Sequence, residues 1–386
     1  MRHSCRKLKM PSQKMSGTFP SQVDVAIVGA GPAGTAAALT LLKYSALNVA
    51  VLEKSDGSQA RVGETVAPSL QPLLEYLDVW KSFEADGHLP SYGSSAAWGS
   101  SQAMSRDFLF TGRGYGWHLD RSRFDHMLAN EMVKRGGWLS TTTHLAECKR
   151  DSSGRWQVQL QRKNREHVKL TARFMIDASG KRAALAHRFG ARRHIRDRLT
   201  GAIGFYKFAD DRAHPHFTFV EASADGWWYS APLPDHRMVV AFMSDADLLK
   251  RKSVTLTKTW NDQLAATQHT QERLQGGRLV SPLLIRPAHS HFLDPAGGSG
   301  WVAAGDAVST FDPLSSMGVG HAIASGIHAA RVAHDHLEGD GQLMSLYTTN
   351  VMRNFQKYLQ LRRQYYLAEQ RWPEHPFWAR RHQALQ

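Results

Sequence analysis

Cysteine is nearly absent: Cys5 and Cys148 are the two in 386 residues. That excludes a disulfide framework and reads as a cytosolic chain. No apolar run approaches the ~20 residues of a membrane span. Residues 1–22 are basic and polar and lack the apolar core of a signal peptide, so a disordered basic tail is expected there. No internal repeat, nucleic-acid motif or metal-ligand spacing is present, so neither nucleic acid nor a metal is expected. Between Gly63 and Arg121 Lys81 is the single lysine, at a helix end. Acidic charge is also scarce. A formal net charge of +14 points to an acidic protein partner, an anionic surface or a generally basic solvated exterior. The apolar share of 42% and charged share of 21% are ordinary for a globular chain with room for one or two domains.

The chain is organised around Val23 to Glu53. An apolar β-rich run, Val25-Ala26-Ile27-Val28, meets Gly29-Ala30-Gly31-Pro32-Ala33-Gly34, and an Ala/Leu-rich helix follows from Thr35 to Tyr44. A second buried strand, Asn48 to Leu52, ends on Glu53 and Lys54. Gly29 permits the tight turn. Gly31 lets a pyrophosphate approach the backbone, and Gly34 lets helix and sheet pack closely. The helix N-terminus offers free N–H groups and a positive dipole end. Glu53 lies 19 residues after Gly34, where an acid binds ribose hydroxyls. Such an N-terminal fingerprint suits FAD or NAD(P) alike.

Further along, Arg61-Val62-Gly63-Glu64-Thr65 precedes an amphipathic helix expected over Pro68–Trp80, with Leu70, Leu73, Leu74 and Leu77 on one face. Gly87 to Ser105 reads as short strands lining a cavity, Phe108 to Leu119 as a strand region, and Phe124 to Arg135 as a helix. Thr141 to Leu170 reads as a three-strand meander turning at Ser152-Ser153-Gly154 and near Lys163-Asn164, followed by a buried strand at Phe174–Asp177. Residues 200–245 read as an antiparallel sheet, Ser253–Leu274 as one polar helix and Gly300–Gly305 as a strand. Helices are expected at Val319–Asp335 and Ser345–Arg371.

Three of these stretches form a recognisable set: Gly29 to Glu53, Asp177-Ala178-Ser179-Gly180, and Gly305-Asp306. Together they resemble the FAD enzymes of the p-hydroxybenzoate hydroxylase fold, above all flavin-dependent halogenases and geranylgeranyl reductases. The resemblance covers about residues 23–335. It implies an α/β architecture, a Rossmann-like FAD-binding domain interleaved with an antiparallel β-sheet substrate domain. The expected boundaries are 23–90, 106–199 and 290–340 for the first, 91–105 and 200–289 for the second, and 341–386 for a C-terminal helical segment. It implies that Asp306 meets the FAD ribityl chain and that Arg121 packs near FAD. Asp312 to Gly320, with Pro313, Ser316, Gly318 and Val319, would run under the isoalloxazine. The helix starting there would turn its positive end toward a reduced, anionic flavin. Ser179 stands where NADPH-using hydroxylases have Asp, which implies an external electron donor.

A narrower resemblance rests on Arg61–Glu64, Trp117–Arg121, Asp225–Pro232 and Arg371-Trp372-Pro373 with Pro376-Phe377-Trp378. These look like the flavoproteins that mature the cysteine tryptophylquinone of lysine ε-oxidase and glycine oxidase. The resemblance implies FAD-dependent, monooxygenase-like transfer of oxygen from O2 to a tryptophan of a precursor oxidase by a cytoplasmic monomer. Halogenases deliver their oxidant through a lysine after the Gly-Glu segment; here Tyr92–Gly99 has none, and Tyr229 stands where their second tryptophan belongs. A small-molecule halogenase-like or prenyl-reductase-like oxidoreductase is the alternative, and a flavin-binding chaperone a third. His118 and Glu64 are the acid/base candidates. Alternatively, His118 only hydrogen-bonds within a sheet and Glu64 orients Arg61. Trp227-Trp228-Tyr229 reads as core before substrate platform.

Overall fold

The computed structural model describes residues 19–59, 61–108, 114–163, 165–209, 215–249 and 255–383. Strand β1 (Gln22–Val28) leads through the glycine turn into α1 (Pro32–Tyr44) and returns as β2 (Val49–Leu52). Proline at the first helical position suits α1, since the missing N–H would be unbonded there anyway. After β3 (Thr65–Val66), the helix expected over Pro68–Trp80 ends early as α2 (Leu70–Tyr76), and a second, unexpected helix α3 (Trp80–Ala85) begins where it was to stop. The break falls at Asp78, whose φ of 57° no α-helix tolerates. Strands β4 (Leu89–Ser91), β5 (Gly93–Ala97), β6 (Met104–Asp107) and β7 (Gly116–His118) follow. Of the short strands expected to line a cavity, β6 is an exposed edge, with Met104 76% accessible. The strand expected over Phe108–Leu119 is confined to β7 among the described residues.

Helix α4 (Arg121–Lys134) starts three residues earlier than expected because Asp120 caps it, accepting from Ser122 and Arg123 N–H. Then come β8 (Trp138–Ser140) and the meander β9 (Thr143–Arg150), β10 (Trp156–Arg162) and β11 (His167–Asp177). The meander's last strand and the buried strand to Asp177 are one continuous element. Among the described residues the first sheet runs β8-β2-β1-β11, parallel throughout, with β9 and β10 continuing antiparallel from β11. Its strands are buried on both faces by α1, α4 and later helices, as all-parallel strands require.

A small strand β12 (Arg192–Ile195) leads into β13 (Leu199–Phe208), β14 (Phe217–Ser223), β15 (Gly226–Leu233) and β16 (Arg237–Asp245). These pair antiparallel in the order β13-β16-β15-β14, but β14 then pairs β5 in parallel, so this second sheet is not purely antiparallel. Beyond α5 (Ala246–Leu249), the single helix expected over Ser253–Leu274 is α6 (Leu256–Ala265) and α7 (His269–Leu274). Short strands β17 (Gly277–Leu279), β18 (Leu284–Pro287), β19 (His291–Asp294) and β20 (Gly297–Gly298) precede β21 (Trp301–Ala303), which returns to the first sheet beside β11. After β22 (Ser309–Thr310) come α8 (Gly318–Glu338), α9 (Leu343–Leu367) and α10 (Pro376–Gln383).

Candidate active site

Each glycine of the turn has a distinct environment. A Cβ on Gly29 (φ 109°) would lie 2.2 Å from the Ala178 carbonyl, and one on Gly34 1.9 Å from the Gly29 carbonyl. Both contacts are far inside van der Waals range, so these two serve backbone packing. A Cβ on Gly31 would meet only Arg61 Nη1, at 3.5 Å. Gly31 also caps α1 without any side-chain hydrogen bond, which leaves the first-turn N–H groups for a ligand. Pro32 and Ala33 form that first turn, and Ala33 packs against Gly305 and Gly326. Glu53 is buried. Its Oε2 accepts from Ala30 N–H at 2.9 Å and its Oε1 from Ser55 N–H and Oγ at 2.8 and 2.7 Å. Burial raises its carboxyl, but these bonds and Arg61 outweigh that and hold it below the usual carboxylate range. Lys54 is exposed; partial burial and the neighbouring Arg182 lower its pKa.

Arg61, Gly63 and Arg121 converge on a residue that the motif reading passed over. Asp125, 2% exposed, takes Arg61 Nη1 at 2.9 Å on Oδ2 and Arg121 Nη2 at 3.2 Å on Oδ1. Arg121 also donates to the Val62 carbonyl, and its Nη1 stands 3.0 Å from a Cβ placed on Gly63. The signal was available: Asp125 is four residues after Arg121, one helical turn along α4. Arg121 Nε is buried without a hydrogen-bond partner.

Thr65 and His118 face each other across β3 and β7, beneath the second sheet. Thr65 Oγ1 is shared by His118 Nδ1 at 3.1 Å, Thr218 Oγ1 at 3.0 Å and Tyr229 Oη at 2.7 Å. His118 is fully buried, and burial depresses its pKa to about 3, with the His216 backbone opposing. It is therefore a neutral imidazole at physiological pH. Glu64 is 4% exposed; Oε2 accepts from Gly63 N–H at 2.9 Å while Oε1 has no partner. Burial pushes its carboxyl up to about 7, with Arg121 pulling the other way. Burial raises the Tyr229 phenol, and the charge of Glu64 adds to that. His118 thus shares one buried polar cluster with Thr65, Thr218 and Tyr229, while Glu64, buried next to Thr65 in the chain, bonds Gly63 instead. Trp227 and Trp228 are core, both wholly buried; Tyr229 alone of that trio reaches the cluster.

Asp306 follows Gly305 in a 3₁₀ turn beside α1, and burial raises its carboxyl against the pull of Lys181 and Arg121. Pro313 opens the next 3₁₀ turn, Ser316 adopts a left-handed φ of 50°, and Gly318 and Val319 begin α8. The N-terminus of α8 has no side-chain cap, and nothing lies within 4 Å of a Cβ on Gly318 or Gly320. His321 packs edge-on against Phe311 and bonds Ser309 Oγ at 3.0 Å; burial lowers its pKa to about 4.

The chain matches the tryptophan halogenase family over residues 24–85 and 85–385. It belongs to that family. It is 34% identical over 366 residues to the FAD-dependent oxidoreductase LodB of Marinomonas mediterranea, spanning 93% of this chain and 96% of that one. A tryptophan 2-halogenase of Chondromyces crocatus is 25% identical, matching 85% of this chain and 64% of the halogenase. Among solved structures, the chondrochloren halogenase CndH superposes with a TM-score of 0.86 at 20% identity, over 94% of this chain and 86% of that one. The peptidyl tryptophan dihydroxylase QhpG superposes at 0.75 and 23% identity, over 93% and 78%. These superpositions establish the shared fold of halogenase-like flavoproteins. The family member is an FAD-dependent oxidoreductase, and the residues present suit that cofactor. Gly31 leaves room for a pyrophosphate, two helix N-termini are uncapped, and Glu64 Oε1 and Arg121 Nε are buried donor or acceptor atoms still unpaired.

Proposed function

We propose that this flavoprotein hydroxylates a tryptophan side chain of a precursor oxidase during maturation of a tryptophylquinone cofactor. The observation that carries the reading is the 34% identity to LodB along nearly the whole of both chains, against 25% to a halogenase that the chain only partly spans. QhpG, a dihydroxylase of peptidyl tryptophan, supports the same substrate class. So does strand β5, Gly93-Ser94-Ser95-Ala96-Ala97, which has no lysine to carry a halogenating species, while Lys81 is exposed on α3.

FAD supplies the two-electron chemistry with O2, drawing on an external donor. The chain's own groups bind and manage protons. Gly31 and the α1 N-terminus would hold the pyrophosphate, Glu53 the ribose and Asp306 the ribityl chain. Arg61 and Arg121, locked by Asp125, wall the site. Glu64, with a carboxyl near 7, can release or take a proton at working pH. Beside it, neutral His118 and Tyr229 are joined through the Thr65 hydroxyl in a buried cluster. One oxygen atom enters an indole C–H bond and the other leaves as water.

The test is co-expression of the precursor oxidase with and without this protein, followed by intact mass. A gain of whole oxygen atoms on a tryptophan peptide, only when both are present, is expected. Equal precursor mass in both samples, with FAD bound here, would return the protein to small-molecule chemistry. Halotryptophan formed from free tryptophan and bromide would favour the halogenase alternative.

A further inference from the structure

The C-terminal helix α9 reaches the segment Asp312–Gly318 through three side chains. Tyr366 Oη donates to Asp312 Oδ2 at 2.7 Å. Arg362 Nε donates to the same oxygen at 3.3 Å, while its Nη2 pairs Asp197 at 3.2 Å. Tyr358 Oη accepts the Asp312 backbone N–H at 2.7 Å and shares a proton with Ser290 Oγ at 2.6 Å. Asp312 in turn caps the 3₁₀ turn that opens the segment, Oδ1 accepting from Leu314 N–H at 3.0 Å. Asp312 is 1% exposed and Tyr366 likewise 1%. Tyr358, Arg362 and Tyr366 recur at four-residue spacing, one face of α9. The Tyr366 ring is gripped by Arg362 and Arg381, each 5.1 Å from its centroid, and its oxygen takes Trp227 Nε1–H at 3.1 Å.

We infer that Tyr358, Arg362 and Tyr366 are positioning residues that set the height and orientation of the Asp312–Gly318 segment against the flavin ring. The inference rests on reading that segment as the surface beneath the isoalloxazine. The physical ground is the geometry of the turn. Ser316 holds a left-handed conformation and Gly318 starts α8 without a side-chain cap; beyond the turn's own bonds and the His321–Ser309 contact one turn along, the segment depends on its links to α9. Its hydrogen-bonded anchor is Asp312, and the groups that bond the Asp312 side chain and backbone N–H from outside the turn come from α9. A buried carboxylate that loses a partner either protonates or moves. Either change displaces the α8 dipole end relative to the flavin, and the flavin's electron affinity follows that field.

The experiment compares full-length, FAD-loaded protein with Tyr366→Phe, which keeps the ring between the two arginines and removes only the hydroxyl. FAD affinity, the visible spectrum and the midpoint potential are measured beside the thermal midpoint of the apoprotein. Roughly tenfold weaker FAD, the size of one hydrogen bond to a charged group, is expected. A displaced flavin band and an altered potential should accompany it. Trp227→Phe, which frees the same tyrosine on its outer side, is expected to lower the thermal midpoint and leave spectrum and potential alone. If Tyr366→Phe does not fold, Arg362→Lys keeps the charge and loses the fork, and the same flavin changes are expected from it. A fall in thermal midpoint with unchanged spectrum, potential and affinity in whichever of these two variants folds overturns the inference. Gly318→Val tells that failure from failure of the underlying placement. Its side chain has open space around it, so unchanged flavin properties there mean that the segment does not face the ring.

Discussion

Gly31 and Glu64 carry the sharpest single-residue consequences. A Cβ at Gly31 meets only Arg61 Nη1, at 3.5 Å, so the backbone accepts a side chain there while a branched one fills the pyrophosphate approach. Gly31→Val should keep its secondary structure by circular dichroism and purify without yellow colour. Glu64 makes a pH-dependent prediction. Its folded pKa is raised from 4.5 to about 7, chiefly by burial. The folded apoprotein therefore keeps a proton that the unfolded chain has released. That contribution is complete below pH 4.5 and lost by pH 7, amounting to about 3 kcal/mol over the window. Denaturation of wild type and Glu64→Gln at pH 5 and pH 8 should show the wild-type stability falling more, by that order. Equal pH dependence in both would mean that Glu64 ionises as an ordinary surface carboxylate. His118, neutral down to about pH 3, should add no inflection of its own to a rate profile near neutrality.

At the scale of elements, α10 shows how much the C-terminal segment contributes. Phe377 and Trp378 are wholly buried against the second sheet, Trp378 Nε1 donates to the Ser223 carbonyl at 2.9 Å, and Arg381 bonds Asp245 at 2.8 Å. Trp378→Ala should cost about 3–5 kcal/mol in chemical denaturation, from the cavity and the orphaned carbonyl together. A loss under 1 kcal/mol would mean that α10 is detachable. Helices α2, α6 and α7 were legible as helical, α6 and α7 not as separate pieces, and α3 was missed beyond Trp80. Their apolar spacing runs on through the interruptions, and only backbone geometry, such as the positive φ of Asp78, marks the breaks. The parallel pairing of β14 with β5 was illegible for a different reason. Alternation tells which face a strand buries but not which neighbour it meets.

For the whole molecule, the +14 charge is the property most exposed to test. Part of the basic and aromatic C-terminal segment is spent internally: Arg362 and Tyr366 hold Asp312, and Arg371 pairs Glu369 at 2.6 Å. Arg363 and the 44%-exposed Tyr365 remain on the outer face of α9. If an acidic precursor docks by charge, its association rate should fall steeply between low and moderate salt, because exposed charges are screened over ~10 Å at 0.1 M. Stopped-flow binding across salt concentrations would show it, and a flat profile would assign docking to apolar contact. Among the described residues no helix is long and apolar enough to cross a membrane.

What the sequence determined by itself was whatever local sterics demand. Gly29 takes a positive φ and Gly34 presses on the Gly29 carbonyl, reasons that lie within a few residues, and a strand, a tight turn and a helix can be read from such a stretch directly. The trio of flavin motifs could be read off the same kind of stretch, and the architecture came from their resemblance to known FAD enzymes. Tertiary structure decided the partnerships. Asp125 joins Arg61 from 64 positions away, Thr65 meets Tyr229 across 164, and Asp312 receives Tyr366 across 54. Their spacing in the chain carries no period to reveal them. They meet because the first and second sheets and the returning C-terminal helix close on one another, and inside that closure a buried carboxylate or hydroxyl must find a partner.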